Sequence, residues 1–292
     1  QTQLGVAYER GLGVTKDEAV AVKLYREAAA QGLADGQTHL GFAYANGMGV
    51  VRDDAEAVRW YRKAAEQGYA NAQTKLGGMY WLGQGIAKNE AEALIWLHKA
   101  AALDAADAQA LLGEAYTQGV GVEKNLAEAE MWYRKAAERG HAIAQAKLGA
   151  MYLLGSGVTK NESEAVIWLK KGAEQGNIDA QNNLGFAYAK GVGVPQNYLE
   201  AEKWYRKAAS QGDATAQTGL GGMYLFGNGV TKNEAEAVIW LRKGAEQENA
   251  VAQTLLGNVY MQGLGVEKDN SEAVKWYRKA AEQGYEIAQD KL

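Results

Sequence analysis

The sequence predicts an all-α chain, a solenoid of helix pairs stacked in one direction, on three observations. The dipeptide Leu-Gly returns every 36 residues, at Leu4-Gly5, Leu40-Gly41, Leu76-Gly77, Leu112-Gly113, Leu148-Gly149, Leu184-Gly185, Leu220-Gly221 and Leu256-Gly257. A fixed period of this length marks a repeat array. Each period holds two apolar stripes with helical spacing, separated by helix-stop and helix-start residues at constant offsets.

The unit that begins near residue 112 shows the elements in order. Ala108, Leu112, Gly113, Ala115 and Tyr116 form the small and apolar stripe of a first helix. Gly119 follows the last periodic residue and suits a left-handed C-cap. Gly121 and Val122 make the turn. Asn125 then stands as N-cap with Glu128 three residues later, the pattern of a capping box. The pair recurs as Asp53/Glu56, Asn89/Glu92, Asn161/Glu164, Asn197/Glu200, Asn233/Glu236 and Asp269/Glu272, while Asp17 has Val20 instead.

The second helix runs through Ala129, Trp132, Tyr133, Ala136 and Ala137 and stops near Gly140. Its tryptophan returns as Trp60, Trp96, Trp168, Trp204, Trp240 and Trp276, with Leu24 in the first unit. Each ring is expected in the core, where burial at about 25 cal/mol per Å² stabilises by several kcal/mol. The Arg-Lys pairs of this helix are expected on an exposed face, beside Glu66, Glu138 and Glu282. Neither helix can bury its stripe alone, so the units must stack.

Composition narrows the function classes. The net charge is -4, and Lys and Arg are spread evenly, which argues against a nucleic-acid surface. No run of eighteen apolar residues exists, so no membrane insertion is expected. Cysteine is absent, which removes disulfides and thiolate metal sites. No targeting segment is visible, and the compartment stays open. The three histidines, His39, His98 and His141, occupy different repeat positions without convergent partners. No metal, cofactor or catalytic role is therefore expected. The Gly-x-Gly-Val turns, such as Gly47-Met48-Gly49-Val50, lack the preceding strand and following Gly-Lys-Ser/Thr of a phosphate loop. Pro195, the only proline, stands two residues before the N-cap Asn197, where no ladder donor is lost.

The pattern Ala108-x3-Leu112-Gly113-x2-Tyr116-x2-Gly119-x-Gly121-Val122-x2-Asn125-x3-Ala129-x2-Trp132-x2-Lys135-Ala136-Ala137-x2-Gly140 resembles the Sel1-like repeat, a relative of the tetratricopeptide repeat. The resemblance covers the whole chain. It implies a right-handed α/α superhelical solenoid of eight units, starting near 4, 40, 76, 112, 148, 184, 220 and 256 and filling residues 1–292 as one domain. It also implies a non-enzymatic scaffold or adaptor that binds a peptide or protein surface in a concave groove. One bacterial branch of the family staples each repeat with a cysteine pair, which this chain lacks.

A second period, of 72 residues, lies over the first. Even units carry Trp-Tyr-Arg-Lys, as at Trp60 to Lys63, and odd units carry Ile-Trp-Leu, as at Ile95 to Leu97. The building block is thus a pair of repeats, from recent duplication or from a designed or consensus-smoothed array. The fifth and seventh units differ at ten positions, including Ala150/Gly222, Leu154/Phe226 and Asp179/Val251. Several fall on one side of the first helix, the side that lines the concave groove in tetratricopeptide proteins.

Just after the Tyr of the first helix, odd units carry Trp81-Leu82, Leu153-Leu154 and Leu225-Phe226, where even units carry Ala45-Asn46, Thr117-Gln118, Ala189-Lys190 and Met261-Gln262. The candidate groove residues are therefore Phe42, Trp81, Leu82, Glu114, Leu153, Leu154, Phe186, Leu225, Phe226 and Met261. Two readings stand: an exposed stripe that contacts a partner, or two interlocking core solutions. A rival function is a structural assembler. Both ends fall inside a repeat without a polar capping unit, so the ends are expected to be truncated or to stack head-to-tail.

Overall fold

The computed structural model describes residues 1–292 as helices joined by short turns, with no strand. The chain divides into two compact units, Gln1–His141 and Ala142–Leu292. The first holds α1 (Thr2–Arg10), α2 (Glu18–Ala30), α3 (Ala34–Asn46), α4 (Asp54–Glu66), α5 (Ala70–Leu82), α6 (Glu90–Ala102), α7 (Ala106–Gln118) and α8 (Leu126–Glu138). The second holds α9 (Ala142–Leu154), α10 (Glu162–Glu174), α11 (Ile178–Lys190), α12 (Tyr198–Ser210), α13 (Ala214–Phe226), α14 (Glu234–Glu246), α15 (Ala250–Gln262), α16 (Asn270–Glu282) and the short α17 (Glu286–Gln289). Odd-numbered helices are the first, or A, helices of each pair, and even-numbered ones are the B helices.

Within each unit an A helix packs on its own B helix, and that B helix packs on the next A helix. Consecutive A helices also touch: α1 with α3, and α9 with α11, α11 with α13, α13 with α15. The A side is therefore the tightly drawn side of each unit.

The Leu-Gly dipeptide explains both periods. Its leucine is buried from Leu40 onward. Its glycine lets the B helix come close. A Cβ at Gly113 would lie 2.6 Å from the Tyr133 ring, and one at Gly149 would lie 2.7 Å from Leu169 Cγ. Tyr25, Tyr61, Tyr133, Tyr205 and Tyr277 seat over this glycine in some units, and Leu97, Leu169 and Leu241 in the others. The 72-residue alternation thus has two core solutions at its root. The longer tyrosine also sends its hydroxyl to the A side, where Tyr133 donates to Glu114 at 2.6 Å and Tyr277 to Asn258 at 2.8 Å. Burial pushes the Tyr205 phenol up to about 12. Opposite the leucines the matching A-side residue is small: Gly78, Ala150 and Gly222.

The tryptophans bind one repeat to the previous one. Trp204 lies in a core with Val166, Leu169 and Leu184, and Trp276 in one with Val238, Leu241 and Leu256. Trp168, Trp204 and Trp276 are buried, but Trp60, Trp96, Trp132 and Trp240 are only half-buried. The lysine three residues on closes over the open face, as Lys63 does 4.2 Å from the Trp60 centroid and Lys135 does 4.4 Å from Trp132. The lysine is thus placed by a cation–π contact, with no ion pair to Glu66 or Glu138.

The N-caps form as expected, but the capping box does not. Asn161 Oδ1 accepts from the Glu164 backbone N–H at 3.1 Å, and the same bond recurs at Asp53, Asn89 and Asn233. The backbone N–H of Asn161, however, donates to the Tyr152 carbonyl of the A helix at 2.9 Å. The glutamate side chain is released for the tryptophan: the indoles of Trp168, Trp204 and Trp240 donate to Glu164, Glu200 and Glu236. Cap and glutamate therefore act independently.

A buried glutamine in the A helices completes the joint. Gln73 donates to the Ala65 carbonyl of the preceding B helix at 3.1 Å, as Gln181, Gln217 and Gln253 do to Ala173, Ala209 and Ala245. Its own oxygen accepts from the glutamine that ends the next B helix, as in Gln67 to Gln37 and Gln211 to Gln181. Leu103 and Arg139 replace that donor in two repeats, and there Gln73 Oε1 and Gln109 Oε1 are buried without a partner. An unsatisfied buried acceptor is destabilising. Leu103→Gln is expected to raise stability by about 1 kcal/mol in urea unfolding, and no gain would mean that the acceptor is already satisfied.

Candidate functional site

The A side of the first unit holds a recess of about 310 Å³, lined by Glu9, Arg10, Asp35, Thr38, His39, Phe42, Tyr61, Tyr69, Asn71, Lys75 and Asp107. Most of these come from A helices. Asp35, His39 and Phe42 share one face of α3, and Asn71 and Lys75 occupy the same register on α5. That register is spared by the core, because Leu-Gly and the small residues face the B helices.

The polar groups are held in place from below. Tyr69, at the start of α5, donates to Asp35 Oδ1 at 2.9 Å. His39 Nε2 lies 3.7 Å from the same oxygen and its ring stacks on Tyr25 at 4.9 Å. Tyr25 in turn donates to Glu9 at 2.6 Å. Burial first, then the Asp35 hydrogen bond, raises the Tyr69 pKa. His141 Nε2 lies 3.4 Å from Asp107. Asp35 and Asp107 also stand in the first turns of α3 and α7, where a carboxylate offsets the helix dipole. The three carboxylates are thus committed to the fold, while Arg10 and Lys75 form no ion pair and Phe42 is 37% exposed.

The other candidates separate by register. Leu82, Leu154 and Phe226 are the last residues of α5, α9 and α13 and are exposed, at 65%, 73% and 62%. Phe186 is exposed on α11, in the register of Phe42. Leu225, by contrast, is 5% exposed and belongs to the core of Val238, Leu241 and Trp276. Trp81 packs half-buried against the Leu94 and Leu97 cluster. Leu153 and Met261 are half-buried. Position 81 and its equivalents are turned toward the next repeat, so their alternation belongs to the core, and Leu225 is set aside as a contact residue. Glu114 is half-buried and holds the Tyr133 hydroxyl.

The recess also contains residues that the apolar pattern passed over: Asp35, His39, Asn71, Lys75 and Asp107. Their signal was variation. The register of His39 reads Lys75, Leu111, Lys147, Asn183, Gly219 and Leu255 along the chain, while the Leu-Gly beside it never changes. His98 lies elsewhere, against the edge of Trp132 at 5.5 Å, and partial burial there lowers its pKa.

The family model of the Sel1 repeat matches residues 1–33, 34–69, 70–104, 106–141, 142–177, 178–213, 214–249 and 250–285. The chain belongs to the Sel1 repeat family. Among solved structures it is similar to a protective antigen present in uropathogenic Escherichia coli strains, which displays an SLR fold. Identity is 39% and the TM-score 0.87, over all of this chain and 62% of that one. This chain therefore spans less than two thirds of that protein's solved length. It is also similar to a Sel1 repeat protein from Oxalobacter formigenes, at 37% identity and a TM-score of 0.72, over 83% of this chain and 96% of that one. No curated protein matches the chain. Sel1 repeat proteins are generally protein-interaction scaffolds and typically non-enzymatic. No helix of this Sel1 repeat chain is long and apolar enough to cross a membrane.

Proposed function

We propose that this chain is a scaffold that binds a segment of a partner protein on its A-helix face. The recess of about 310 Å³ in the first unit carries the reading. It is a concave site of ligand-binding size, built mostly from side chains that the core does not use, over a floor that includes the buried Tyr61. An exposed phenylalanine and two unpaired cations provide an anchor and orienting charges. The B side offers less: tryptophans such as Trp60 and Trp168 are covered by lysines, and Glu56 and Glu164 are held by Arg59 and by the Trp168 indole.

The test is a peptide selected from a random library against the whole chain. Phe42→Ala with Lys75→Ala is expected to weaken its binding at least about tenfold and to leave melting nearly unchanged. Ile95→Ala, on the exposed face of α6, is expected to change neither. Loss of binding with Ile95→Ala and retention with the A-side pair would refute the site.

A further inference from the structure

The second unit presents the same A-side register in different chemistry. Where the first unit has Asp35, Asn71 and Asp107, the second has Ile143 on α9, Asp179 on α11, Thr215 on α13 and Val251 on α15. At the helix-end register the first unit has Asn46, Leu82 and Gln118, and the second has Leu154, Lys190, Phe226 and Gln262. Ile143, Leu154, Phe186, Phe226 and Val251 are all exposed. The first unit is an internal control. In the register of Ile143 and Val251 it carries only Asp35, Asn71 and Asp107, so the fold does not call for apolar residues there, while its exposed apolar residues on this face are Phe42 and Leu82. Exposed apolar side chains on successive touching helices are the mark of a contact surface.

The face has a slot. Gly222 has open space where a Cβ would stand, beside the register of Phe186 and one turn before Phe226. The Tyr205 ring closes the floor at Gly219, where a Cβ would lie 3.0 Å from Cζ. Around these residues the charges are Lys147 and Lys190, which form no ion pair, Asp179 in the first turn of α11, and Asp213, which caps α13 by accepting from the Ala216 N–H at 2.6 Å. With Asp213 engaged as a cap, two lysines and one carboxylate are left to meet a partner.

We infer that the A-side face of the second unit takes a partner segment with large apolar anchor side chains interspersed with carboxylates. The inference rests on the scaffold reading above and names its ligand class. Apolar anchors fill the slot beside Phe186 and Phe226, and carboxylates meet Lys147 and Lys190. A second copy of the same face would bring lysine against lysine. A lipid surface would have to meet the drawn-in side of the unit, where consecutive A helices touch.

The experiment uses the whole chain and three fluorescein-labelled peptides of equal length. One carries Leu and Phe anchors with Glu between them, one the same anchors with Lys, and one Glu with Ala in place of the anchors. Fluorescence anisotropy is expected to rank the first tightest by at least about tenfold. Phe186→Ser with Phe226→Ser is expected to remove that preference for anchors. Lys147→Glu with Lys190→Glu, both at exposed positions, is expected to shift preference to the basic peptide. Phe42→Ala with Lys75→Ala, in the first unit, is expected to leave the ranking intact. Equal binding of all three peptides, no binding, or binding that survives both second-unit pairs would overturn the inference. So would flotation of the chain with phosphatidylserine vesicles at the expense of peptide binding. If the first-unit pair alone abolished binding, the inference would fall while the scaffold reading stood.

Discussion

Trp204→Ala is expected to lower stability by ~3–5 kcal/mol. The ring is almost fully buried, between Leu184 of its own repeat and Val166 and Leu169 of the one before. Truncation removes the transfer energy of an indole and leaves a cavity whose walls belong to separate helices. It also removes the indole donor of Glu200, at 3.1 Å, leaving that carboxylate only its Lys203 pair, and uncovers Lys207, which lies 4.3 Å from the ring centroid. The loss falls on one interface in an array held by nearest-neighbour contacts. The urea transition should therefore move to lower denaturant and broaden, because the two sides unfold less cooperatively. Circular dichroism across a urea series measures both changes. A loss under about 1 kcal/mol would contradict the assignment of tryptophan as the joint between repeats.

Gly85→Ala carries the second large effect. The A-to-B loop crosses the start of the previous B helix, and Gly85 has φ +65°. A Cβ there would lie 2.1 Å from the Asp54 carbonyl oxygen. That obstacle is backbone, and it cannot rotate away. The left-handed conformation disfavours alanine by ~1–2 kcal/mol, and displacing the loop adds ~1–3 kcal/mol. Gly68→Ala separates the two terms. Gly68 is also left-handed, at φ +82°, but a Cβ there meets nothing within 4 Å. It should show the conformational part alone. The chain already tolerates that part, because Asp104 and Glu248 hold the equivalent position with φ +62° and +63°. Equal losses at Gly85 and Gly68 in thermal melting would mean that the loop does not press on the helix.

The fold was legible because a repeat array states its rules many times. Leu-Gly, the cap at Asn125 and its equivalents, and the glycine after each A helix mark local events, and local chemistry decides them. The capping box was misread because the backbone N–H of the cap found a carbonyl nine residues back, at Tyr152 for Asn161. Only the folded pair of helices brings those groups together. The glutamine ladder was missed for the same reason. Gln37 and Gln67 are distant in sequence, and each looks like an ordinary polar residue.

The candidate site was half legible. Leu154, Phe186 and Phe226 stood out because they are large and apolar where alternate units are polar or small, and they are exposed. The same argument failed for Leu225, whose own position faces the next repeat. One residue of helix is a rotation of about 100°, enough to separate core from surface. The recess residues Asp35, His39 and Lys75 are polar, and an apolar criterion cannot find them. Only the variation of their register beside an invariant Leu-Gly marks them.

The central claim is that partners bind on the A side. Four isoleucines test it directly, because they are about equally exposed on opposite sides. Ile143 stands on the A helix α9, and Ile95, Ile167 and Ile239 stand on the B helices α6, α10 and α14. In chain labelled at the isoleucine δ1 methyls, titration with acidic, apolar-anchored peptide should shift the Ile143 resonance and leave those of Ile95, Ile167 and Ile239 in place. Shifts at the three B-helix methyls with Ile143 unmoved would contradict the account.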